Sequence, residues 1–233
     1  GAPFTVYVTT DFASGLAAPW WHVVERASLA ATSLALETDA GPRVFDTSNK
    51  RQKIQTAETL HHMLWRSTKQ RRAQETIAVA QQAGLDLRAL ARELFMDWAE
   101  LREIAAIPGC AIGAHTISHP KLAHLDEASA KREISEGRDI IRQRLGVKVD
   151  HFSYPYGGLG TCDEREFAMV RTAGFATAVT TRKNVLNPTD VNGLMNLPRV
   201  PINGHFQHPA MIDALVCGRK PAHQSWRDAG NAH

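Results

Sequence analysis

Cysteine is scarce in this chain. Cys110, Cys162 and Cys217 are odd in number and widely spaced, with no Cys-x-x-Cys pair. Neither a disulfide framework nor a thiolate zinc site is therefore indicated; Cys110, set in an apolar run, reads as a buried thiol. Long hydrophobic runs are missing as well, and no segment approaches the length of a transmembrane helix. Charge of one sign is also lacking. The net charge is only +3, and no Lys/Arg stripe is interleaved with aromatics, so nucleic acid is not an expected partner. The densest basic cluster, Lys69-Gln70-Arg71-Arg72, reads as a solvated helix surface or junction. Neither an internal repeat nor a low-complexity linker is visible. What remains is a soluble-type composition of a length that suits one domain with a real core. The chain starts Gly1-Ala2-Pro3-Phe4 without Met and runs straight into a strand pattern, so its natural beginning is expected to be absent.

Phe4 to Thr9 is rich in β-branched and aromatic residues and predicts a buried strand, with Asp11 just beyond its end. Residues 17–95 read as a long helical excursion. Trp20 to Ala31 suits one helix; Thr56 is the expected N-cap of another, with Leu60, Met63 and Leu64 on one face. Ile77 and Val79 belong to a further piece ended by Gly84. Asp97 caps a short helix closed by Pro108-Gly109. A cleaner alternation then begins. Strands are expected at Cys110–His115, Val149–Tyr154, Ala176–Thr180 and Leu197–Ile202. Helices are expected from Asp126 to Leu145, stopped by Gly146, and from Asp163 to Ala173, stopped by Gly174. This order means βαβ units and a mostly parallel sheet or barrel. The tail, residues 218–233, reads as flexible.

Ligands of such folds gather at the C-terminal ends of the strands. Asp11, His115, His119, Tyr156 and Arg199 all fall at or near expected strand ends. The pair in Gly113-Ala114-His115-Thr116-Ile117-Ser118-His119-Pro120 stands out. Imidazole is the commonest nitrogen ligand of zinc, and a catalytic zinc typically keeps three protein ligands and a water. The spacing by itself is common, and structural strand-end histidines share it. Thr116 in place of Glu argues against a helical His-Glu-x-x-His protease site. A strand running into a tight turn brings the two rings together instead.

This stretch resembles the second motif of the NodB-homology polysaccharide deacetylases, carbohydrate esterase family four. Phe152-Ser153-Tyr154-Pro155-Tyr156-Gly157 resembles their third motif, and Leu197-Pro198-Arg199-Val200 a late strand of one branch. Phe4 to Phe12 is similar to the family's second strand, and Asp97 to Leu101 to the helix before the histidine motif. The two central motifs lie about 35 residues apart in the family's order. The resemblance implies an α/β fold, a distorted (β/α) barrel lacking its first β/α unit, with the helical insertion after the first visible strand. It implies a deacetylase domain over residues 1–217 and a divalent metal, zinc first, held by His115, His119 and an Asp. The metal would polarise an acetamide carbonyl and activate a water. The Tyr156 N–H would help hold the oxyanion while its ring shapes the groove.

The chain also departs from that pattern. The family's Thr-Phe-Asp-Asp-Gly motif supplies the base and the third ligand, and no Asp-Asp pair occurs here. Both are expected upstream of Gly1, and Asp11 is read as rim or structural. Ser153 stands where the family has an Arg, three residues before its Tyr; Arg199 either replaces it or is an ordinary surface Arg. The family's general-acid His has no matching context, and His205 and His208 read as loop residues. Trp20 is a candidate for stacking on a sugar ring, with core packing as the alternative. The expected function is metal-dependent removal of N-acetyl groups from N-acetylglucosamine-containing saccharides, impaired in this chain. A hydrolase of cyclic ureides or imides, and a non-catalytic saccharide-binding domain, are the alternatives. Localisation and oligomeric state stay open.

Overall fold

The computed structural model describes residues 2–38, 41–186, 193–202, 212–214 and 217–218. Strand β1 (Phe4–Val8) leads into a four-residue helix, α1 (Thr10–Ala13), then helix α2 (Trp20–Ala30) and strands β2 (Ser33–Thr38) and β3 (Gly41–Asp46). Helices α3 (Lys50–Arg66), α4 (Lys69–Gln82), α5 (Leu87–Leu94) and α6 (Trp98–Ala105) follow. Next come β4 (Cys110–Ala114), a 3-10 turn at Leu122–His124, α7 (Glu127–Leu145), β5 (His151–Ser153), α8 (Glu164–Thr172), β6 (Thr177–Lys183) and β7 (Leu197–Arg199). Two compact units emerge: residues 1–10 with 102–233, and residues 11–101.

The first unit is an α/β layer built on a parallel sheet in the order β1-β4-β5-β6-β7. Parallel neighbours need crossover connections, and α7 and α8 supply them between β4, β5 and β6. Strands β1 and β4 pair from Phe4↔Cys110 to Val8↔Ala114, although the whole second unit lies between them in sequence. With β1 and β7 at its edges, the described sheet is open rather than a closed barrel. Its core is apolar and tight: Ile134, Ile141, Phe152 and Val170 are fully buried. Helix α7 begins and ends where its caps put it. Asp126 Oδ1 accepts from the Ser129 N–H at 2.9 Å, and Gly146 takes the left-handed conformation that closes the helix, φ 69°.

The second unit has its own core, in which Leu34, Leu36, Leu60, Leu64 and Val79 are buried with Trp20. It is not wholly helical, as the sequence suggested. Strands β2 and β3 form an antiparallel hairpin from Ser33↔Asp46 to Thr38↔Gly41. Leu34 and Leu36 point inward while Ala35 and Glu37 do not, a period-two pattern too short to be told from one helix turn by eye. Thr56 is not an N-cap. Asn49 caps α3, accepting from the Gln52 N–H at 3.1 Å, and Thr56 lies inside the helix with its hydroxyl donating to the Asp46 carbonyl. Ile54 in the first half of α3 is exposed and the buried leucines begin only at Leu60, so the apolar pattern hid the helix's first turns. Helices α2, α4 and α6 fall where expected, and α5 is additional. Cys110 is half-buried rather than buried; Cys162 is the buried thiol.

Candidate active site

Strand β4 delivers His115 to the sheet's C-terminal edge. The His115 N–H donates to the Val8 carbonyl at 2.9 Å, and the His115 carbonyl accepts from the Thr9 hydroxyl at 3.0 Å. Gly113 lets β4 pass close to β1, since a Cβ there would lie 2.5 Å from Tyr7 Cδ1. After His115 the chain turns sharply. Thr116 has φ 67° and His119 φ 58°, both left-handed and unusual for residues with a Cβ, above all for a β-branched one. Strain of this kind persists only where surroundings over-determine it. Thr116 is fully buried; its Oγ1 accepts from the His119 N–H at 3.0 Å, and its carbonyl accepts from the Thr10 N–H at 3.3 Å.

The second loop, after β5, carries a third such residue. Tyr156 has φ 63° and is followed by Gly157 at φ 66°. The turn is pinned to β6: the Thr181 hydroxyl donates to the Tyr156 carbonyl at 2.6 Å, and the Thr181 N–H donates to the Gly157 carbonyl at 3.0 Å. A Cβ at Gly157 would stand 2.7 Å from the Thr181 nitrogen, so only glycine fits. The two loops bring three rings together. His115 and His119 centroids are 4.7 Å apart, and His119 and Tyr156 are 4.8 Å apart. Lys121 Nζ lies 6.0 Å from the Tyr156 ring centroid.

The electrostatics of His115 are informative. Its Nδ1 lies 2.6 Å from the Ser153 carbonyl oxygen. A carbonyl can only accept, so Nδ1 carries the proton and Nε2 keeps its lone pair. Removal from water pushes the His115 pKa down to about 4, the Ser153 bond opposes this, and the Arg199 charge adds to it. The ring is therefore neutral at pH 7, the form that binds a metal. A sharp expectation follows for the metal-free protein. In a 15N NMR titration His115 stays neutral, with the proton on Nδ1, until the pH falls to about 4. Since the unfolded ring titrates near 6.5, the stability its neutrality confers is full above that pH and is lost as pH falls toward about 4. A His115 midpoint near 6.5 would contradict this environment.

Of the residues singled out from sequence, His115, His119 and Tyr156 come together. Arg199 ends β7; its Nε donates to the Thr180 carbonyl at 2.6 Å, and its charge also bears on Tyr7. Trp20 is a correction. It is 7% exposed within the core of residues 11–101, packed against Trp21 and His61 with the Arg72 guanidinium over its ring. It offers no open face to a sugar. Asp11 sits in α1, its carbonyl accepting from the Leu16 N–H. His205, His208 and residues 219–233 lie outside the described residues. Among the described residues no group of three or more His, Cys, Asp or Glu is placed to hold a metal, so the site supplies two imidazoles. Likewise no described helix is long and apolar enough to cross a membrane.

Sequence reasoning missed Glu133. Its carboxylate accepts from the Ile117 and Ser118 N–H groups and from the Ser118 hydroxyl. It stands beside the buried stripe of α7, and nothing in the linear sequence links it to a loop fifteen residues earlier.

Strand-end loops on a parallel sheet, carrying a pair of packed histidines of which His115 is held neutral, define an α/β protein with a candidate metal site. The chain belongs to the polysaccharide deacetylase family, whose sequence model matches residues 1–177. No curated protein matches it significantly. Among solved structures it is similar to the Streptococcus pyogenes deacetylase PplD in complex with acetate, at 19% identity and TM-score 0.46, over 54% of this chain and 51% of that chain. It is also similar to IcaB from Ammonifex degensii, at 22% identity and TM-score 0.42, over 54% of each chain. A polysaccharide deacetylase from Bacillus cereus matches at 16% identity and TM-score 0.45, over 52% of this chain and 36% of that one. The chain thus spans about half the length of PplD as solved.

Proposed function

We propose that this chain is part of a metal-dependent N-deacetylase acting on N-acetylglucosamine-containing saccharides. The observation that carries the reading is the His115 Nδ1–Ser153 carbonyl bond beside the His119 ring. It fixes the tautomer of one imidazole and leaves Nε2 as a ligand nitrogen, an arrangement typical of metal-binding histidines. Two imidazoles suit zinc, which takes nitrogen, sulfur and carboxylate ligands. When bound, the metal supplies Lewis-acid polarisation of the amide carbonyl and lowers the pKa of the attacking water.

The chain's own residues do the rest. His115 and His119 hold the ion, and the Tyr156 N–H donates to the oxygen that becomes negative as water adds to the carbonyl. The Tyr156 ring walls the sugar groove. Arg199 orients the carboxylate base by charge, the role that Ser153 cannot fill. That base and the third ligand are carboxylates from outside the described residues, where the family resemblance puts an Asp-Asp pair ahead of β1. The C–N bond then breaks, leaving acetate and a free sugar amine. Residues 1–217 form the domain that does this, with residues 11–101 inserted between β1 and β4.

The test is acetate release by the full-length protein from N-acetylglucosamine oligosaccharides, beside cyclic ureides and imides. The expected result is release from the saccharides alone, lost with a chelator and restored by zinc. Hydrolysis of the ureide or imide alone, or no hydrolysis of any substrate, would overturn the reading.

A further inference from the structure

We infer that Glu133 is the positioning residue of the histidine pair, its buried carboxylate locking the loop that sets His119 beside His115. The inference rests on the metal-site reading above and deepens it. Three residues join the two histidines, and Glu133 binds two of them. Its Oε2 accepts from the N–H groups of Ile117 at 3.0 Å and Ser118 at 2.9 Å, while Oε1 accepts from the Ser118 hydroxyl at 2.6 Å. Both carboxylate oxygens are thus engaged by the loop. Glu133 lies in the middle of α7, so it caps nothing in its own helix, and it is only 6% exposed.

The loop it grips is the strained one. Left-handed residues stand at both ends, Thr116 and His119, and such conformations need an external hold. A second feature of α7 points the same way. Gly137, four residues on and therefore on the same helix face, brings the helix backbone against the loop. A Cβ there would lie 3.0 Å from the Thr116 carbonyl carbon and 3.3 Å from the Ile117 nitrogen. One face of α7 thus offers an acceptor and a clearance, both matched to the backbone between the ligands. The chemistry needs this because groups behind metal ligands set ligand orientation, and their loss typically costs about 10–100-fold in affinity.

The experiment uses the full-length chain with Glu133→Ala, Glu133→Gln and Gly137→Ala. Three quantities are read: amide hydrogen exchange at Ile117 and Ser118 without metal, His115 and His119 ring shifts without metal, and zinc affinity by chelator competition. In Glu133→Ala, protection at both amides disappears, the His119 ring signals move, and zinc affinity falls about 10–100-fold. Glu133→Gln recovers most of the affinity, because the amide oxygen still accepts both N–H bonds and the NH2 donates to the Ser118 oxygen. Gly137→Ala presses on the same loop and shifts affinity in the same direction. Unchanged exchange, ring shifts and affinity in folded Glu133→Ala would overturn the inference. If that variant fails to fold, unchanged values in Gly137→Ala overturn it instead. Absence of zinc binding by the wild type sinks the metal reading alone; exchange and ring shifts, read without metal, still decide the role of Glu133.

Discussion

His115→Ala and His119→Ala are each expected to lower acetate release by the full-length chain more than about 100-fold, since even groups behind a metal ligand cost 10–100-fold. The argument runs from tautomer to charge. In His115 the Ser153 carbonyl holds the proton on Nδ1, and burial keeps the ring neutral, so the nitrogen left over has its lone pair available to a metal at neutral pH. Removing the ring takes away that ligand and leaves the Ser153 carbonyl without its donor. His115→Gln separates the two effects. Its amide NH2 can restore a bond to the carbonyl, yet it is a poor zinc ligand, so folding recovers and activity does not. The measurement is acetate release per folded protein, with circular dichroism confirming the fold. Activity retained by either alanine variant would remove the pair from the chemistry.

Phe152→Ala is expected to destabilise the protein by about 3–5 kcal/mol, the usual cost of deleting a buried aromatic ring. Phe152 is fully buried in β5, with its ring 5.1 Å from Tyr154 and 5.2 Å from Phe175. A domain is stable by only about 5–15 kcal/mol, so the loss is a large share of the total. It also reaches the site, because Ser153 follows immediately and its carbonyl orients His115. Phe4→Ala is the contrast. Phe4 is 45% exposed at the start of the edge strand β1, and its loss falls far below that of Phe152. Urea unfolding followed by circular dichroism reads both as shifts in midpoint. A Phe152→Ala midpoint no lower than that of Phe4→Ala would mean that β5 is not the centre of the core.

Where local chemistry decides structure, the sequence could be read closely. Asp126 and Gly146 mark the ends of α7 because a side-chain oxygen and a left-handed glycine act within one turn. His115, His119 and Tyr156 were legible because both motifs are short and each ends a strand. Other features depend on residues distant in sequence. The β2–β3 hairpin carries only two inward leucines in β2, too few to show a period. Trp20 could stack on a sugar or fill a core, and only the partners around it, Leu60 and Leu64 among them, decide for the core. Nothing in the linear sequence marks Glu133, since its bonds to Ile117 and Ser118 exist only once α7 packs on the loop. The strain at Thr116 was equally hidden, since threonine gives no hint of a positive φ.

Zinc titration of the 15N-labelled 233-residue chain, followed on the histidine side chains at pH 7, tests the central claim most directly. The account predicts that His115 and His119 respond together, with one midpoint and loose affinity, because the described residues offer two ligands. The exposed His62 and His124 serve as references and stay in place. Unmoved His115 and His119 signals, or two separate midpoints, would contradict a shared metal site.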